Sequence, residues 1–298
     1  MRLRIRPTSI SGAIVFTVTV VLAGCVPGGK PAEEPSFDPT TLQKEVIAKL
    51  SGFEEIKPGL KLPNRAALEN KQAARAYLEE VWKGLGLEVH KHDYSPEGEN
   101  LYAIVKARKP SGETIIVGAH YDTVRNTPGA NDNATGVALV TAAAAEFSRK
   151  RPQTRDILFV LFDEEERGLR GSRAFAQKLV ADLVKIHSVH TVDQMGWDKD
   201  GDRTVELEIP YEGAVELYGQ AAKTMPTPIP LLVTKEMGSD HTAFRRLGFP
   251  AVGVTEEYRN GDTTPHIHRP GDAYETIQFD YLASTTRLVV KVLRLLTE

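Results

Sequence analysis

TIIVGAHYDTV, Thr114–Val124, is followed after four residues by GANDNATG, Gly129–Gly136. The first segment opens as an apolar run that reads as a buried strand, and the Ala-rich stretch after Asn133 reads as a helix. A buried strand feeding a helix through a Gly-flanked turn is the unit from which α/β sheets are built. Yet the run ends in His120 and Asp122, and the turn carries Asp132. Polar groups are costly at a dry sheet end unless they are paired, hydrogen-bonded or bound to metal. The segment therefore raises a site together with a fold.

Outward from it, strands and helices alternate. Upstream, a helix is expected from about Thr40 and another over 65–83, where Ala74, Leu78, Val81 and Trp82 recur at helical spacing before Gly84 and Gly86. LEVHKHDY (87–94) and NLYAIVKAR (100–108) read as strands, and KPSGET (109–114) as the turn into the central run. Downstream, the pattern predicts helix 134–149, strand 156–162, helix 171–180, strand 186–193, a short strand at VELEI (205–209) and helix 212–223. Strands PLLVT (230–234) and AVGVT (251–255) flank helix 240–247, and an amphipathic helix over 276–297 closes the chain. This alternation predicts an α/β fold, a three-layer α/β/α sandwich with a mixed, mostly parallel central sheet, over a single domain at 39–298.

The 298 residues are 41% hydrophobic and 26% charged, with a formal net charge of −3. That balance gives no electrostatic reason to expect nucleic acid as a partner, and nothing in it sets an oligomeric state. The start of the chain reads differently. MRLRIR carries three arginines, an apolar run extends from Ile10 to Ala23, and LAGC occupies 22–25. These features describe a signal peptide over 1–24, too short for a confident membrane span. Small residues before the single cysteine resemble a bacterial lipoprotein lipobox, implying cleavage before Cys25 and its lipidation. Residues 25–38 then read as a lipidated cysteine and flexible linker. The expectation is an exported protein tethered to the cell envelope, at the outer membrane or the outer face of the cytoplasmic membrane, by its N-terminal lipid alone. With one cysteine, no internal disulfide can form.

The acids and histidines of interest follow apolar strands. His120 and Asp122 end TIIVGAHYD, DEEE (163–166) ends DILFVLF, Asp193 ends HSVHTVD, and His268 lies beyond AVGVT. Strand ends on one side of an α/β sheet face a common crevice where ligands bind. Histidines and carboxylates meeting there suit zinc or a similar divalent ion. Taken singly, each has an ordinary explanation: His120 as a core histidine, NDNATG as a turn and helix N-cap, DEEERG as a solvated face. His90, His92, His187 and His190 match no such block and are read as structural. Ser239-Asp240 reads as a helix cap, with His241 beside the pocket.

GAHYDTV, GANDNATG, EERGLRGS (165–172), the acid of VDQMG (192–196) and HRPGD (268–272) together resemble the M28 zinc aminopeptidases, in order across roughly 118–272. SDHTAF (239–244) is a softer match. The resemblance implies a zinc-peptidase-like fold and a co-catalytic pair of Zn2+ ions bridged by Asp132. His120 and Asp193 would complete one ion, and Glu166 and His268 the other. A bridging carboxylate offsets the repulsion between cations only about 4 Å apart. Asp122, two residues from His120 on a strand, would share its face and orient or polarise it. The resemblance also implies a cis peptide at Asp132–Asn133. Glu165 would be general base toward a metal-activated water, its register set by GLRGS, leaving Asp163 and Glu164 as strand-end or surface charge.

By the same resemblance, Glu165 and Asp193 would help hold the free amine of a peptide substrate. By position, Met237, Phe244 and Tyr258 could line an apolar pocket, with core packing the competing explanation for each. The expected activity is hydrolysis of N-terminal residues, apolar ones preferred. Glutaminyl cyclases, carboxypeptidases and dipeptidases of the same fold remain alternatives, as does a non-catalytic peptide-binding lipoprotein. A structural calcium site suits two histidines poorly, because calcium prefers oxygen.

Overall fold

The computed structural model describes residues 37–298. The expected signal segment, Cys25 and the linker as far as residue 36 lie outside the described residues. The helices are α1 (Thr40–Leu50), α2 (Leu68–Gly84), α3 (Gly136–Arg149), α4 (Arg170–Ala181), α5 (Ala214–Lys223), α6 (His241–Arg245) and α7 (Phe279–Thr297). The strands are β1 (Val89–Asp93), β2 (Glu99–Val105), β3 (Thr114–His120), β4 (Asp156–Phe162), β5 (Ile186–Asp193), β6 (Val205–Glu208), β7 (Leu231–Thr234) and β8 (Ala251–Thr255). Among the described residues the strands form one sheet in the order β1-β2-β4-β3-β5-β8-β6-β7. Its centre, β4-β3-β5-β8, is parallel, whereas β1 and β2 on one side and the β6–β8 pairing on the other are antiparallel.

Side-chain alternation divides the core between the two faces of this sheet. Ile115, Val117 and Ala119 of β3, with Ile157, Phe159 and Leu161 of β4, pack on the side of α1, α2, α3 and α7. Ile116 of β3 and Leu158, Val160 and Phe162 of β4 pack on the side of α4 and α6 with Phe175, Leu179 and Phe244. Burial on both faces explains why these strands are near-continuous apolar runs. The sandwich expected from the alternation is the observed architecture. Among the described residues no helix is long and apolar enough to cross a membrane.

Two helix starts fall three residues later than the periodic reading, and in both cases a side chain is drawn elsewhere. α2 begins at Leu68 rather than 65 because the Arg65 side chain turns into the interior. There its guanidinium donates to the carbonyls of Tyr121 (2.6 Å), Leu50, Pro128 and Gly129 (each 2.8 Å). α7 begins at Phe279 rather than 276. Gln278 is held outside it, its N–H donating to Gly196 O at 2.9 Å and its amide to Asp198 O at 2.7 Å.

Helix α2 is tied to the strand end that carries the acids. Lys71, almost completely buried, lies 3.0 Å from Asp163 and 3.4 Å from Glu164, while Arg75 approaches Asp163 at 3.4 Å and Glu99 at 3.6 Å. Asp163 and Glu164 are therefore interior ion-pair partners, and the expectation of strand-end or surface charge is corrected. Removing one partner of a buried pair leaves an uncompensated charge, a change that typically costs about 3–5 kcal/mol. Lys71→Met is thus expected to destabilise the fold by about 3 kcal/mol, read from denaturant midpoints at unchanged slope; a midpoint equal to wild type would show that the pair contributes nothing net.

Candidate metal centre and cleft

Parallel strands bring their C-terminal ends to one edge. His120 is level with Phe162 across the β3–β4 ladder, and Asp193 is level with Thr255 across β5–β8. Four residues past Phe162 place Asp163–Glu166 on the same edge. β3 feeds α3 on one face of the sheet and β4 feeds α4 on the other, so a crevice opens between them.

The loop carrying Asp132 is fastened from several sides. Gly129 has φ +68, and a Cβ there would stand 2.6 Å from the Asp132 carbonyl and 2.8 Å from an Arg65 nitrogen. The carboxylate of Asp272 accepts the N–H groups of Asn131 (2.7 Å) and Asp132 (3.0 Å). Asn133 donates to Val192 O at 2.8 Å and accepts from Gly136 N at 2.9 Å, which joins the loop to β5 and caps the start of α3. The Asp132–Asn133 peptide is cis.

Asp132 thereby presents its two oxygens to two different histidines. His120 Nε2 lies 3.4 Å from Asp132 Oδ1 and 3.4 Å from Asp193 Oδ1. His268 Nε2 lies 3.2 Å from Asp132 Oδ2 and 3.0 Å from Glu166 Oε2. The arrangement is two three-residue half-sites sharing one carboxylate. Behind them, Asp122 stands 3.5 Å from His120 Nδ1 and accepts the N–H groups of Glu165 (3.0 Å) and Glu166 (3.3 Å). One carboxylate thus fixes both an imidazole and the acidic turn. Ser239 supports Asp193 by donating to its Oδ2 at 2.7 Å.

Charge at the centre is unbalanced. Burial, with the charges of Asp240, Asp193 and Asp122, pushes the Glu165 carboxyl up to about 10 against the pull of His120. Burial and Asp132 push Glu166 up to about 8. Burial opposes ionisation of His120, but the surrounding carboxylates of Asp193, Glu165, Asp122 and Asp132 hold its imidazole well above the ordinary range. Hydrogen bonding to Asp132, with the charge of Glu166, raises His268 to about 9. Asp132 stays well below the carboxylate range despite burial, because both histidines stand against it.

Those residues fit a divalent metal. Both ring nitrogens of buried His120, Glu166 Oε1 and Asp193 Oδ1 have no hydrogen-bond partner. Ligand atoms of His120, Asp132 and Glu166 lie within 4.8 Å of one another. Imidazole nitrogen with carboxylate oxygen is a donor set that zinc accepts.

The remaining expected residues divide. Tyr258 lines the cleft beside these groups, together with Leu169, Gln194, Glu208, Glu236 and Ile267. Met237 is exposed between two cleft-lining neighbours and is not itself part of the wall. Phe244 is completely buried against Phe162 and Phe249, so core packing accounts for it and the pocket assignment is corrected. Asp240 makes no side-chain cap on α6; it is buried beneath the centre, its carboxyl pushed up to about 7 by burial. Sequence reading missed Arg65 and Asp272 as organisers of the loop. HRPGD contained Asp272, but only the structure gives its two backbone partners.

The model of Peptidase family M28 matches residues 100–293. A probable leucine aminopeptidase of Arthroderma otae is 26% identical over 223 residues, covering 69% of this chain and 59% of the relative. The chain spans about three-fifths of the length of such curated relatives. Among solved structures, BSAP, a zinc aminopeptidase from Bacillus subtilis, superposes with a TM-score of 0.75 at 15% identity, covering 89% of this chain and 97% of that one. An Acidobacteriales bacterium glutaminyl cyclase superposes at 0.71 with 20% identity, covering 91% and 99%. At these identities the structures speak for the fold alone. The family model spans well over half of the sequence and takes in Asp132, the acidic turn, Asp193 and both histidines of the half-sites, and on that ground this chain belongs to peptidase family M28.

Proposed function

We propose that the chain is a zinc-dependent aminopeptidase, cleaving N-terminal residues from peptides, with Asp132 shared by two ions. His120 and Asp193 would hold one ion, and Glu166 and His268 the other. The observation that carries this reading is the opposed use of the two Asp132 oxygens by the two half-sites. Bound there, the metal pair would polarise a scissile carbonyl and make water a nucleophile near neutral pH.

The chain's own groups supply the rest. Glu165 lines the cleft, its backbone fixed by Asp122 at 3.0 Å. It takes the proton from the attacking water and passes it to the departing amine, a shuttle that suits a carboxyl whose proton affinity burial has raised. Asp122 acts at one remove, setting the His120 ring and the Glu165 turn together. Surplus negative charge attracts the ammonium group that marks a peptide N-terminus. At the other end of the chain, the proposed lipid on Cys25 would place this site at the cell envelope.

Loaded with zinc, the protein is expected to hydrolyse aminoacyl-nitroanilides and to stop when chelated. Glu165→Gln is expected to lower kcat by about 10²–10⁴ while elemental analysis still finds zinc at the wild-type ratio. Full activity in that variant would remove Glu165 from its role, and pyroglutamate formation from glutaminyl peptides without hydrolysis would favour a cyclase.

Stability of the metal-free protein carries a second test. Glu165, Glu166 and His268 all have folded values above their ordinary ones, at about 10, 8 and 9. A raised folded value means that the native state binds the proton more tightly, so stability is highest below the unfolded value and falls as pH rises toward the folded one. The Tm of chelated protein is expected to fall from about pH 5 to about pH 9, while zinc restores more stability at the upper end because its binding releases those protons. A flat chelated profile would contradict the charge imbalance. Separately, Cys25→Ala is expected to move the protein from membrane to soluble fractions.

A further inference from the structure

The cleft encloses about 470 Å³. Apart from the half-sites and Glu165, two further carboxylates line it, Glu208 and Glu236, and no lysine or arginine does. Two divalent ions would match the charge of Asp132, Glu165, Glu166 and Asp193. Glu208 would remain as surplus, while Glu236 is paired with Arg259.

Glu208 ends β6 and is nine-tenths buried, yet its carboxylate accepts no hydrogen bond among the described residues. Its nearest polar neighbour is His241 Nδ1 at 3.6 Å. His241 is fully buried and donates from Nε2 to the Glu236 carbonyl at 3.2 Å, leaving Nδ1 without a partner. Burial also holds that imidazole below its usual range, in the neutral form. Glu208 therefore faces a lone pair, not a proton. Glu206, on the same face of β6, is satisfied by the Thr234 hydroxyl and the Arg259 N–H, each at 2.7 Å. The space around Glu208 is kept open from the next strand: a Cβ on Gly253 would stand 2.5 Å from Glu208 Oε2 and 2.6 Å from His241 Nδ1. Burial, with the charges of Asp193, Glu206 and Glu236, pushes the Glu208 carboxyl up to about 8, so it is a cation entering the cavity that would hold it ionised.

At the rim, Glu236 is about half exposed and pairs with exposed Arg259 at 3.0 Å. Leu169, Ile267 and Tyr258 add apolar surface to the same cleft wall. That combination matches a long side chain with an apolar stem and a charged head.

We propose that the cleft selects a basic N-terminal residue, lysine or arginine, with Glu208 as the carboxylate that receives its charged head and Glu236 as a second attraction at the rim. The proposal rests on the aminopeptidase reading and replaces the apolar preference expected from the sequence.

Charge can be isolated from size by comparing lysine with norleucine and arginine with citrulline as N-terminal residues of nitroanilide substrates. The zinc-loaded protein is expected to favour the charged member of each pair by about tenfold or more in kcat/KM. Glu208→Gln is expected to collapse that ratio and Glu236→Gln to reduce it. Equal wild-type rates within each pair would overturn the proposal. So would a Glu208→Gln variant that loses all four substrates in proportion, since the carboxylate would then hold the shared α-ammonium. Should Glu208→Gln fail to fold, the wild-type pairs and Glu236→Gln still decide. Calorimetry of lysinamide and norleucinamide on the Glu165→Gln protein gives a readout independent of turnover. Selective lysinamide binding without hydrolysis by wild type would uphold the pocket and sink the peptidase reading, whereas equal binding would sink the pocket.

Discussion

A dry sheet edge crowded with carboxylates must find positive charge, and the rest of the structure follows from how it does so. Asp122, Asp132, Glu165, Glu166, Asp193, Asp240 and Asp272 meet around the C-terminal ends of β3, β4 and β5. Isolated ionised acids in such surroundings cost several kcal/mol each, at least. The chain meets this need in two layers. Lys71 and Arg65 supply permanent charge from below, and the half-sites leave unpartnered ligand atoms above for exchangeable cations.

The two permanent cations have different work. Lys71, a compact ammonium, balances Asp163 and Glu164, so the turn bearing Glu165 and Glu166 is clamped to α2. Arg65 is surrounded by the charges of Asp272, Asp122, Asp132 and Glu166, but its planar fork is spent on four backbone carbonyls of the loops beside them. Its burial draws the guanidinium down to about 10. The 256–267 loop is held in a related way. Glu256, buried at its base, accepts from Asn131 and Trp197 on one oxygen and from Thr263 and Thr264 on the other. The segment beyond β8 is therefore fastened to the Asp132 loop, which limits how freely it could act as a lid.

Much of this was legible because strand ends are local. An apolar run followed by a histidine or acid states where the chain leaves the sheet, and parallel pairing does the rest. The strands and most helices could be read this way, and so could the meeting of His120, Asp132, Asp193, Glu166 and His268 at one edge. What could not be read depends on distant partners. Asp163 and Glu164 look like one end of a solvated charge run, and the lysine that buries them lies about ninety residues earlier in the chain. Phe244 sits in a plausible position for a pocket, but the short helix α6 turns it toward Phe162. VELEI reads only as a short strand, and nothing in its letters places its glutamates. Both are buried, Glu206 under the Thr234 hydroxyl and the Arg259 N–H and Glu208 beside His241 of α6.

Those two glutamates separate two kinds of information in the fold. The residues proposed to hold metal sit on the parallel centre, each at a strand end or in a short loop where register leaves little freedom. The proposed selectivity sits on the flank, where Glu208, Gly253 and His241 lie against one another across β6, β8 and α6. The two regions share β8, which pairs with β5 on one side and β6 on the other, and both contribute to the cleft wall. Family membership rests on a match that runs through both regions, whereas the proposed substrate preference rests on the one carboxylate, Glu208, that the centre would leave unmatched.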